Sequence, residues 1–170
     1  AEYDRQVLIY RAARANDLEL AELFSDPHKW LCTWRMSQRI YQHTYKDQLY
    51  GQNYLRYKLD LDVPADMGVH RAGADVQVCG KLLERLMVDA LEQGMLDITQ
   101  PLAPQMLSLT HDPILVSVWP MGKYRDQPLE KIPTDYFLWA LDNLSVLNEK
   151  NPGHSRDLIA SVTVELEKRL

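Results

Sequence analysis

Positive charge is what this sequence has least of relative to its opposite. Nineteen Lys and Arg face 24 Asp and Glu, giving a net charge of -5 at pH 7 and a pI near 5.5. No global basic field is present to hold nucleic acid, so any contact with phosphate must come from local patches. Long apolar runs are also missing. None approaches the roughly 18 residues of a membrane span, and no membrane partner is expected. Cysteine is scarce. Cys32 and Cys79 lie in apolar surroundings without a metal-ligand spacing, which reads as two reduced core residues of a cytoplasmic protein rather than a disulfide. No internal repeat, low-complexity tract or signal-peptide pattern stands out.

What is present suffices for a folded core: 170 residues, 46% of them hydrophobic. One domain, or one with a small appendage, is expected. Residues 1–24 read as one broken helix or two short ones, with Asn16-Asp17 as the restart because either side chain caps a helix. Ser25-Asp26-Pro27 is a turn. Trp30 to Thr33 reads as a short buried strand. Residues 34–40 form a helix with Met36 and Ile40 inward and Arg35 and Arg39 outward. Residues 41–48 read as a loop and 49–59 as a helix whose Arg56 and Lys58 reach solvent or phosphate.

After a loop over 60–69, a helix is predicted over 71–93. Val76, Cys79, Leu82, Leu83, Leu86, Met87 and Ala90 recur there at helical spacing, and Gly94 stops it. Pro101 and Pro104 break regular structure and suggest a boundary between 1–95 and 96–170. Beyond it come one helical turn over 105–109, a strand over 114–119, and a turn with a second extended piece over 122–129, together a hairpin. A helix capped by Thr134 carries Tyr136, Phe137, Trp139 and Ala140. After Pro152-Gly153, Ser155 caps a last helix striped by Leu158, Ile159, Val162, Leu166 and Leu170.

The stretch that draws chemical attention is His70-Arg71-Ala72-Gly73-Ala74-Asp75. It points an imidazole and a carboxylate at the start of a helix, a combination that suits a metal ligand beside a general base. A second Asp, Asp4, also opens a helix. Standing alone, each residue reads equally as a helix cap or a polar loop position.

Taken together, Tyr3-Asp4, then Trp30-Leu31-Cys32-Thr33, then His70 four residues before Asp75 resemble the later motifs of the DnaQ-like 3'-5' exonuclease superfamily, in the branch with four acidic residues and a His. Within it the likeness is strongest to the exodeoxyribonuclease X group. It continues through Gln105-Met106, Pro113, Gly122-Lys123-Tyr124-Arg125, Tyr136 and Trp139. The resemblance implies a partial α/β RNase H-like fold over 1–95, lacking its first strands, with a small α+β module over 96–170. It implies hydrolysis of DNA phosphodiester bonds by a two-metal mechanism, the Mg2+ or Mn2+ ions roughly 4 Å apart, with single-stranded DNA or DNA 3' ends as partner. Asp4 and Asp75 would be metal ligands, and His70 would take the proton from the attacking water.

The superfamily's opening Asp-x-Glu strand precedes the Tyr3-Asp4 motif. The chain as given is therefore expected to be an incomplete and inactive part, completed by a missing segment or a second chain. The alternative is a non-catalytic nucleic-acid or protein-binding module derived from that fold. In the Gly122 stretch the family pattern is Phe-Gly-Lys-x-x-Gly, whereas this chain has Met121 for the aromatic and Asp126 for the second Gly, which puts the turn in question. Lys123, Tyr124 and Arg125 are candidates to grip phosphate and stack on a base. The plainer reading of that region is a solvated basic tip, with Tyr136 and Trp139 as core.

Overall fold

Asp17 starts the second helix of the chain, as its position predicts. A computed structural model describes residues 2–42, 49–63 and 72–169. In it α1 (Glu2–Arg14) ends, Asn16 turns at φ +57, and the Asp17 carboxylate accepts from the Leu20 amide at 3.0 Å to open α2 (Leu18–Ser25). Asn tolerates this left-handed conformation better than most residues. The two helices pack on each other as a hairpin. Two units follow from the distribution of contacts, Ala1–Asp112 and Pro113–Leu170.

The core of the first unit lies among α3 (Thr33–Tyr41), α4 (Gln52–Lys58), α5 (Ala72–Glu92) and α6 (Leu102–His111). Met36, Ile40, Leu55, Leu82, Leu86 and Ala90 meet there. The α5 stripe differs from the sequence expectation. Ala74, Val78, Leu82 and Leu86, each one turn from the next, face inward, while Val76 is 70% exposed. Cys79 is exposed and Cys32 half-buried; both are free, so neither is a core residue. Gly94, at φ +69, ends α5 as predicted, and the Met95 amide returns to the Ala90 carbonyl at 2.8 Å.

Pro104 does not break structure but sits in the first turn of α6, where no intrahelical N–H is needed. Arg35 and Arg39 do not point to solvent. Both close the far end of that helix: Arg39 Nε donates to the Leu109 carbonyl at 3.1 Å, Arg35 Nε to the Thr110 carbonyl at 3.5 Å, and both guanidiniums to the Asp112 carbonyl. The last carbonyls of a helix lack intrahelical donors and carry partial negative charge, so two cations are well placed there. Arg56 is likewise buried, donating to the Val63 carbonyl at 3.3 Å.

The α/β expectation is overturned. Among the described residues there is no strand, only an isolated antiparallel bridge between Val118 and Pro128, and an RNase H-like sheet is not what these helices build. The two stretches expected as strands run extended for a different reason. At 30–33 the Cys32 amide donates to Thr110 Oγ1 at 3.2 Å, and the Trp30 carbonyl accepts from His111 Nε2 at 3.0 Å. At 114–119 the amides of Ile114 and Val116 donate to Asp157 Oδ1 and Ser161 Oγ, both at 2.8 Å. Helix side chains thus take the backbone groups that a neighbouring strand would have paired.

The second unit packs α7 (Thr134–Asn143) and α8 (Arg156–Glu167) around Trp119, Ile132, Phe137, Ala140, Leu158 and Val162. Ser155 caps α8 as expected, accepting from the Leu158 amide at 3.3 Å. Thr134 does not cap α7 but is its first residue, after Pro133. The hairpin is reduced to a tight reversal, in which the Trp119 amide meets the Gln127 carbonyl and the Asp126 amide meets the Trp119 carbonyl, each at 2.8 Å.

Candidate active site

Asp4 lies in the opening turns of α1, exposed, on the wall of a cleft of about 330 Å³ in the first unit. The apolar wall is made by Trp30, Leu31, Trp34, Tyr50 and Leu82, and the polar positions are Asp4, Thr33, Gln52 and Cys79. Thr33 and Gln52 are the first residues of α3 and α4. The cleft is therefore bordered by the opening turns of three helices, whose free amides favour negative charge. An apolar slot with a few polar groups at one edge is the usual form of a small-ligand site.

Asp75 does not itself line this cleft, but its neighbourhood does. It is half-buried in the first turn of α5, its carbonyl accepts from Gln52 Nε2, and Cys79, one turn further, lies on the cleft wall with Sγ 3.9 Å from Thr33 Oγ1. Gln52 is thus the link between the cleft and the start of α5. Nothing in the sequence singles it out, because its partner is a backbone carbonyl 23 positions away.

Hard carboxylate oxygens are the right donors for Mg2+ or Mn2+, but two do not make a centre. Among the described residues no three His, Cys, Asp or Glu side chains gather as metal ligands would. His70 lies outside the described residues, as does the side chain of Tyr3.

The candidate residues of the second unit form a separate group. Lys123 and Tyr124 belong to a short 3-10 turn, Gly122–Tyr124, with Arg125 directly after it. The turn that Asp126 put in question closes, because Asp126 adopts φ +62 where the family pattern has Gly. Lys123 Nζ stands 5.2 Å over the Tyr124 ring, and Tyr124 meets Tyr136 edge to face at 4.6 Å. Tyr136 in turn touches Trp119 at 5.6 Å and Trp139 at 5.4 Å. Trp139 is not core: it is 49% exposed.

No protein-family model matches this chain, and no solved structure matches it. Two curated proteins do. Exodeoxyribonuclease 10 of Escherichia coli strain K12 and exodeoxyribonuclease 10 of an Escherichia coli O6:H1 strain are each 24% identical to it over 125 residues. The match covers 72% of this chain and 52% of each relative, so the chain spans about half the length of the curated relatives it matches. No helix among the described residues is long and apolar enough to cross a membrane.

Proposed function

We propose that this chain carries one side of the active site of a 3'-5' exodeoxyribonuclease of the DnaQ-like kind, related to exodeoxyribonuclease X and acting on single-stranded DNA or DNA 3' ends. The supporting observation is a cleft lined by one acid and joined through its wall to the helix turn that carries the other. Asp4 is on the wall of a cleft that Gln52 and Cys79 connect to the first turn of α5, where Asp75 sits. The distant likeness to proteins named exodeoxyribonuclease 10 points the same way. In this reading Asp4 and Asp75 give two of the oxygen donors for Mg2+ or Mn2+, and the other donors come from outside the described residues, from a further segment or a second chain. His70 takes the proton from the attacking water, a task that suits an imidazole. The apolar wall of Trp30 and Trp34 receives the terminal nucleotide.

The test is degradation of a 5'-labelled single-stranded oligonucleotide, with Mg2+ or Mn2+, by the protein expressed from its complete reading frame. Shortening from the 3' end that is lost in Asp4→Asn and Asp75→Asn is the expected result. Absence of degradation with either metal, or full activity in both variants, overturns the reading.

A second reading has its own observation. Because no three-donor group forms among the described residues, the chain also fits a non-catalytic module that binds nucleic acid or protein. Binding of the oligonucleotide without shortening under every metal tested would select it.

A further inference from the structure

The second unit holds an aromatic and basic surface that neither the cleft nor its chemistry uses. Trp139, Tyr136 and Tyr124 form a continuous chain of rings, with centroids 5.4 and 4.6 Å apart, and Lys123 Nζ stands 5.2 Å over the Tyr124 ring. The order runs from a half-exposed indole on α7 to a cation on the 3-10 turn. Tyr124 and Tyr136 are half-buried against the core of the unit, Tyr136 meeting the fully buried Trp119 edge to face. Core packing does not account for Trp139: Phe137 and Ala140 are the α7 residues that are fully buried, while Trp139 stays at the surface. Together with the adjoining half-buried Tyr136 and Tyr124 it forms an aromatic surface open to a partner.

The charges say what covers it. Lys123 and Arg125 flank Tyr124, are exposed, and have no ion-pair partner among the described residues. The acids of α7, Asp135 and Asp142, stand about one turn before and after Trp139 on the same helix. A ligand with a flat apolar face at one end and negative charge at the other satisfies both ends. Nucleotides of a single strand do so, since their bases stack on rings and their phosphates pair with Lys and Arg. A duplex does not, because its bases are already stacked. We infer that the second unit binds single-stranded nucleic acid, with a base on Trp139 and the backbone at Lys123 and Arg125. This surface acts independently of the proposed nuclease site.

Binding of a fluorescein-labelled oligo(dT) to the 170-residue chain, followed by anisotropy in EDTA at low salt, tests this without cleavage. Trp139→Ala is expected to weaken binding roughly 5- to 100-fold. Lys123→Ala with Arg125→Ala is expected to flatten the dependence of log Kd on log salt by about 0.7 per cation removed. Both changes are at exposed positions, and circular dichroism verifies that each variant is folded. Lys81→Ala, at an exposed cation of α5 outside the cleft, should leave binding unchanged, which separates this surface from general charge attraction.

Failure of the folded wild-type chain to bind oligo(dT) overturns the inference, as does equal affinity for duplex of the same length or unchanged binding in Trp139→Ala. A dimer in light scattering that Trp139→Ala dissociates, without oligonucleotide binding, would show that a second copy covers the rings instead and also overturns it.

Discussion

Arg169 grips Glu165 one helical turn away, donating to Oε1 from Nε at 3.0 Å and from Nη2 at 2.8 Å. The same guanidinium reaches the Ile132 carbonyl at 2.6 Å and the Leu129 carbonyl at 2.8 Å, and lies 5.1 Å from the Phe137 ring centroid. One side chain thereby ties the end of α8 to the loop entering α7. The hydrogen bond from Arg169 is the main reason the Glu165 carboxyl lies below its ordinary value of 4.5, with the charges of Arg169 and Lys168 adding to it against the opposing effect of burial.

A carboxylate held below its unfolded pKa stabilises the fold fully above pH 4.5 and loses that contribution as pH falls through its lowered value. The second unit is therefore expected to lose stability on acidification below that point. Glu165→Gln should be less stable at neutral pH and show a shallower acid dependence. Thermal melts from pH 7 down to 3 measure both; parallel curves for the two proteins would exclude the link.

Arg39→Ala should destabilise the first unit by about 1.5–3 kcal/mol, the usual worth of hydrogen bonds to a charged group. It takes from the Leu109 carbonyl its Arg39 donor, while the Asp112 carbonyl keeps Arg35. Arg39→Lys should recover only part, since an ammonium lacks the planar fork. Urea unfolding monitored by circular dichroism reads the difference. A neutral Arg39→Ala would mean that water replaces the guanidinium without cost.

At Asp126 the backbone takes φ +62, a conformation Asp tolerates and β-branched residues do not. Asp126→Gly is expected to leave stability unchanged or raise it by up to about 1 kcal/mol. Asp126→Val should cost roughly 1–2 kcal/mol. A stable valine variant would show that the reversal around Trp119 relaxes.

Asp75 uses its carbonyl, not its carboxylate, to hold Gln52. Asp75→Asn should thus change stability by no more than about 0.5 kcal/mol. If the nuclease reading is right, the same change should lower exonuclease activity on the order of a hundredfold or more, the worth of a lost metal donor. Equal thermal midpoints with unequal rates would separate site from scaffold. A large drop in midpoint would assign Asp75 a structural role instead.

Local rules were legible in the chain because their donors and acceptors lie within a few residues of each other. Asp17 and Ser155 cap the helices that follow them, and Gly94 ends α5 through its own φ. Tyr3-Asp4 and His70-x4-Asp75 were singled out by a resemblance, and their chemistry stays a proposal. Long-range pairing was not legible. Whether Trp30 to Thr33 or Ile114 to Trp119 becomes a strand depends on what meets its amides, and the answers, Thr110, Asp157 and Ser161, lie 43 to 78 positions away.

The same holds for charge. Arg35, Arg39 and Arg56 read as solvent-facing because helical spacing reports which face a residue occupies, not what is packed beside it. Only tertiary structure placed the end of α6 against two of them. The sequence by itself determined the helix ends at Asp17, Gly94 and Ser155. Tertiary structure decided that helix side chains, not a sheet, satisfy the extended backbone, and that Gln52 joins Asp75 to the cleft holding Asp4. Caps act over one turn of backbone, whereas these contacts exist only once distant segments have packed.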